Sequence, residues 1–198
     1  MQLRNTVAAI CIAGGALFTA PASAVVVSSF TAAPGTIVTD FSSAGLAAIN
    51  LDLTQPHLAT TISFQIEQAD LDLGNTLSFN AVIANLFGQG IERFLLTLSN
   101  ATFASIGSVE TFFGSAASVS GSGDSAAIDF APPDSFGFNI GDPFGTGGQD
   151  WTLNIAGLAV GDNFSITFAV PEPGSLPLVL AALLGAGWIG TRRRGGRN

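Results

Sequence analysis

"TISFQIEQ", residues 61–68, alternates Ile62, Phe64 and Ile66 with Ser63, Gln65 and Glu67. A period of two sends successive side chains to opposite faces, so this stretch reads as a half-buried strand with Glu67 on its wet face. The same alternation recurs in "TLSFNAVI" (76–83), "WTLNI" (151–155) and "NFSITFAV" (163–170). Further strands are expected over 25–30, 36–41, 46–53, 93–99, 108–113 and 125–130, where β-branched and aromatic residues concentrate. Turn formers separate them: Pro34-Gly35, Gly74-Asn75, Gly88-Gln89-Gly90 and Gly161-Asp162-Asn163.

No stretch of the body sustains a 3.6-residue apolar period with helix caps. Many short strands at near-regular spacing predict an all-β fold, an antiparallel β-sandwich over 25–169, with jelly-roll-like connectivity as one option. The Gly-rich segment 135–150, "SFGFNIGDPFGTGGQD", reads as a long loop. Of 16 phenylalanines all but Phe18 lie in the body, and tyrosine is absent. Phenylalanine without tyrosine points to rings used as core filler, because a ring that also meets water or sugar is usually Tyr or Trp.

Charge narrows the function. The chain has 14 acidic and 6 basic residues; the body holds every acid except Glu172 but only one base, Arg93, a net of −12 (13 against one). Such a surface repels nucleic acid and anionic lipid. The body has no cysteine and no lysine, and its one histidine, His57, reads as a loop or edge residue. A Ser-His-Asp triad would depend on His57, and no Gly-x-Ser-x-Gly elbow is present. Zinc sites draw mainly on His and Cys and are nearly excluded.

A two-carboxylate glycosidase would have to choose among Glu67, Glu92 and Glu110, which otherwise read as solvated strand-face charges. No cofactor is implied. Calcium is the one metal the composition leaves open, through Asp70 and Asp72 before a turn and Asp124, Asp142, Asp150 and Asp162 in or beside Gly-rich turns. Aspartate is also a standard turn former, and no segment fits an EF-hand loop. Asn100-Ala101-Thr102 and Asn163-Phe164-Ser165 match the N-glycosylation pattern, although Asn163 reads as part of its turn.

The two ends do not read as fold. Residues 1–24 carry Arg4, an apolar run from Val7 to Phe18, and Ala22-Ser23-Ala24. That three-part pattern predicts a secretory signal helix cut after Ala24 by signal peptidase, with Ala22 and Ala24 at the positions the peptidase reads. The only cysteine, Cys11, leaves with it. At the other end the run 175–191 contains no charge, and as a helix it reaches about 26 Å, close to a bilayer core. Pro177 suits its first turn and Trp188 its interface. Arg192, Arg193, Arg194 and Arg197 follow and hold that side in the cytoplasm, leaving the body outside.

Just before this run stands Val170-Pro171-Glu172-Pro173-Gly174. The two prolines hold an extended backbone and present Glu172 above the bilayer. The motif, the hydrophobic run and the arginine cluster, covering residues 170–198, together resemble the PEP-CTERM sorting signal of bacterial exported proteins. The resemblance implies an exosortase as partner, removal or exchange of the tail, a Gram-negative envelope, and delivery to the cell surface or an exopolysaccharide matrix. Three readings of the body follow: a non-enzymatic surface or biofilm-matrix protein, a carbohydrate-binding or adhesive module, or a secreted hydrolase. Trp151 is the body's only tryptophan and alternates with core positions, which weakens a sugar platform. The scarcity of His, Lys and Cys weakens the hydrolase.

Overall fold

Alternating patterns need a second apolar face to cover them, and the chain supplies it by folding into two sheets. The computed structural model describes residues 25–32, 34–56 and 59–172. The expected signal peptide with Ala22 and Ala24, the tail with Pro173, Gly174, Arg192, Arg193, Arg194 and Arg197, and His57 lie outside the described residues. Among the described residues no helix is long and apolar enough to cross a membrane.

Sheet A runs in the order β1 (Val26–Thr31), β4 (Ala59–Gln65), β13 (Asn163–Ala169), β6 (Ile91–Ser99), β10 (Ser125–Asp134) and β9 (Ala116–Ser122). All its pairs are antiparallel. Sheet B runs β2 (Ile37–Asp40), β3 (Leu46–Leu53), β5 (Thr76–Asn85), β11 (Gly137–Ile140) and β8 (Val109–Thr111). On the same flank of β5, β12 (Trp151–Asn154) pairs with it, and β7 (Thr102–Ser105) pairs with β12. The one helix among the described residues, α1 (Gln68–Asp72), links β4 to β5.

The inward faces share one core, so the fold is β-sandwich-like. Phe94 of sheet A meets Phe138 of sheet B at 5.1 Å between ring centroids, and Phe79 of sheet B meets Phe168 of sheet A at 6.3 Å. Edge-to-face and tilted contacts of this kind add to the area term of burial. Trp151 is fully buried; its ring packs edge-on against Phe103 and its Nε1–H donates to the Ser108 carbonyl at 3.0 Å. The indole is therefore core and faces no solvent.

The structure departs from the sequence reading in several places. β3 and β5 pair in parallel, because the chain crosses to sheet A as β4 and returns before laying down β5. The sheets are otherwise antiparallel, and that pair removes the all-antiparallel order of a jelly roll. The strand at 61–68 ends at Gln65, and Glu67 is the N-cap of α1 rather than a strand-face residue. The segment 135–150 is not one loop: Phe138 and Ile140 face the core from β11. Its alternation is hidden because the intervening Gly137, at φ 132°, lies against the Ile83 carbonyl where no Cβ fits. Strands β7 and β9 carry one large apolar residue each, Phe103 and Val119, among Thr, Ala, Ser and Gly, and their apolar contrast is too weak to read from sequence.

Phenylalanine as core filler holds for about half of the rings. Phe30, Phe41, Phe112, Phe113, Phe136 and Phe144 are exposed.

The connections alternate between two ends of the sandwich. At one end lie 32 and 34–36, 54–56, 86–90, 112–115 and 135–136, together with the departure of the chain after β13. At the other lie 41–45, 66–75, 100–101, 123–124 and 155–162.

Candidate functional site

The last strand delivers the chain into a groove. β13 ends at Ala169; Val170 is still buried in the core, and Glu172 is exposed. Val170, Pro171 and Glu172 form one wall of a cleft of about 510 Å³, and Phe87, Arg93 and Asp129 form much of the rest. Its chemistry is set by a cross-strand pair: β10 and β6 place Asp129 opposite Arg93. The guanidinium donates from Nε to Oδ1 at 2.6 Å and from Nη2 to Oδ2 at 3.1 Å. This two-pronged geometry holds the Asp129 carboxyl below the usual carboxylate range and raises Arg93, the hydrogen bond being the main cause in each. The body's one cation is thus neutralised beside the exit, and Glu172 is presented next to an already satisfied ion pair.

The three glutamates considered for catalysis lie on different elements. Glu67 caps α1 at the far end, Glu92 lies on β6 beside the exit groove, and Glu110 lies on β8 in the other sheet. Asp70 is fully buried; its Oδ1 accepts from the Gly45 N–H and its Oδ2 from the Glu67 N–H, both at 2.9 Å. Asp162 Oδ2 accepts from the Ala159 N–H, and Asp124 Oδ1 from the Ser125 hydroxyl. These are turn-stapling roles. Among the described residues no group of three or more His, Cys, Asp or Glu is placed to hold a metal. Asn100 takes φ 63°, its Nδ2 donates to the Asn163 carbonyl, and Asn163 itself opens β13.

A second concavity was not legible in the sequence. β11 pairs with Ala81–Ala84 of β5 and β12 pairs with Thr76–Phe79, so they form one strand interrupted opposite Asn80. The interruption is the excursion 141–150. Asn80 fills the gap and accepts the Asp142 N–H at 3.1 Å. Asp142 staples the excursion: Oδ1 accepts from the Thr146 N–H and hydroxyl, and Oδ2 from the Gly147 N–H at 2.8 Å. Those backbone donors, Thr146 first, hold the Asp142 carboxyl below its ordinary value. The braced excursion projects Phe144, which with Phe41 walls an uncharged groove of about 240 Å³. Ala48, Asn50, Asn80 and Val82 line its floor. The sequence signal was Pro143-Phe144 itself, an aromatic inside a turn-rich segment with no alternating apolar partner.

No family model, curated protein or solved structure matches this chain.

Proposed function

We propose that the chain is an exported, non-enzymatic surface or extracellular-matrix protein of a Gram-negative envelope, sorted through its C-terminal signal by an exosortase. The observation that carries this is the order Val170-Pro171-Glu172-Pro173-Gly174, the uncharged run 175–191, then Arg192, Arg193, Arg194 and Arg197. In this reading a signal helix over 1–24 directs export, a transmembrane helix within 175–191 tethers the chain, and the body joins an exopolysaccharide or biofilm layer after processing. The body supports the reading by ending where the motif begins. Val170 is anchored in the core, and two residues later Glu172 stands exposed. A protease acting on an extended substrate reaches such a segment without unfolding the domain.

The test is the intact mass and both termini of the mature protein, from the native host and from one lacking its exosortase. A chain that starts at Val25 and ends within residues 171–174 only when the enzyme is present is expected. A chain ending at Asn198 in both strains would leave a plain membrane anchor.

A second reading, a carbohydrate-binding module, is favoured by the groove between Phe41 and Phe144. Aromatic walls with an amide-lined, uncharged floor suit a neutral sugar. A glycan array would separate the two readings.

A further inference from the structure

The two ends of the sandwich differ in character. The connections at the far end carry Glu67, Asp70, Asp72, Asp124 and Asp162. The described residues of the exit-end connections, 32, 34–36, 54–56, 86–90, 112–115 and 135–136, include no Asp, Glu, Lys or Arg. They present aromatic and aliphatic side chains instead. Phe113 and Phe136 are 66% and 56% exposed and pack edge-to-face with centroids 4.8 Å apart. The Phe112 ring lies beside Gly137, next to Phe136. Leu86, 59% exposed, follows Asn85, whose N–H donates to the Phe136 carbonyl at 3.0 Å. Buried rings would be ordinary; contiguous exposed rings in uncharged turns mark an interaction surface. At the far end Phe41, Leu73 and Val160 are exposed, but each stands singly in its own connection, and two of those three connections carry acids.

What covers this patch follows from where the chain leaves. Glu172 lies at the same end, and Ser175, where the uncharged run begins, is only three residues further along the chain. Three extended residues reach at most about 11 Å. The headgroup layer on one side of a bilayer is itself about 5–7 Å deep. A body tethered so closely has no room to turn another face to the membrane.

We propose that the exit end, with Phe112, Phe113, Phe136 and Leu86 foremost, is a membrane-contact surface that seats the body on the lipid headgroups while the tail is uncut. This rests on the reading of 175–191 as a bilayer span. Charge is biased the same way: Glu67, Asp70, Asp72, Asp124 and Asp162 lie at the far end, and the described exit-end turns carry no charge themselves, Glu92 and Glu172 flanking them at the groove. Aromatic rings suit the interface, where apolar and polar surroundings meet. A handful of such side chains holds a body only weakly without a tether, so tail cleavage also frees it from the membrane.

The test uses the chain with its tail intact, purified after signal removal from a host without exosortase, in vesicles of phosphatidylethanolamine and phosphatidylglycerol. The mature chain lacks cysteine, so single fluorophores can be placed through Ser135→Cys at the exit end, Ser122→Cys at the far end and Ala182→Cys in the tail. Spin-labelled lipids then report depth by quenching. The expected result is deep quenching at 182, headgroup-level quenching at 135, and none at 122. Adding Phe113→Ser and Phe136→Ser should lower quenching at 135 towards that at 122 and leave 182 unchanged. Quenching at 182 with none at 135 would overturn the membrane contact while sparing the anchor. If disulfide cross-links form between 135 positions in that case, the patch belongs to a second copy. Absence of quenching at 182 would overturn the span, and the contact with it.

Discussion

Replacing Asp70 with alanine should destabilise the body substantially. The side chain is fully buried, and its two oxygens accept the Gly45 and Glu67 N–H groups at 2.9 Å each. It thereby ties the turn before β3 to the start of α1, the two ends of the crossover that sets β3 parallel to β5. Truncation leaves both donors without their acceptor, at about 1–3 kcal/mol each. Gly45 and Glu67 are half-buried, so water recovers part of the loss, and about 2–4 kcal/mol is expected. Against a total stability of about 5–15 kcal/mol, that is a large fraction. For a domain of roughly 145 residues it lowers Tm by about 6–12 °C. Asp70→Asn keeps one acceptor and should lose about half as much. Urea titration and thermal melting by circular dichroism measure both variants. An Asp70→Ala protein within about 0.5 kcal/mol of the parent would refute the reasoning, as would an asparagine variant weaker than the alanine one.

Other expectations follow from the same geometry. Phe94→Ala removes a ring that meets Phe138 across the core and Phe168 on the neighbouring strand, and should cost about 3–5 kcal/mol, read as a lower urea midpoint. Asp129 and Asp142 both titrate below the ordinary carboxylate value, so their contributions are complete above about pH 4 and are lost as pH falls through the lowered values. Tm should therefore drop on acidification, and Asp142→Asn should flatten part of that slope; an unchanged Tm down to about pH 2 would contradict it. Phe41→Ser and Phe144→Ser should each weaken any glycan found on an array by about tenfold, with Tm unchanged because both rings are exposed. Pro171→Ala with Pro173→Ala should leave the body folded and block tail processing, seen as a C-terminus still at Asn198 by mass spectrometry.

The all-β class was written in local alternation. Ile62, Phe64 and Ile66 need no distant partner to declare a strand, because a period of two is a property of the backbone itself. The expectations for the two ends rest on a similar ground: a signal pattern and an uncharged run bounded by arginines are linear features. Tertiary structure alone decided the rest. Whether β3 pairs with β5 in parallel depends on where the chain returns after visiting the other sheet, and no residue pattern encodes that return. Whether a phenylalanine is core or surface depends on what lies across from it. Phe138 and Phe136 are two residues apart, yet one packs on Phe94 and the other meets solvent beside Phe113. The acid-bearing turns 66–75, 123–124 and 155–162 are interleaved with the apolar ones along the chain and look mixed in sequence. Antiparallel strands send successive turns to opposite ends, and only that folding sorts them into an acidic end and an apolar one.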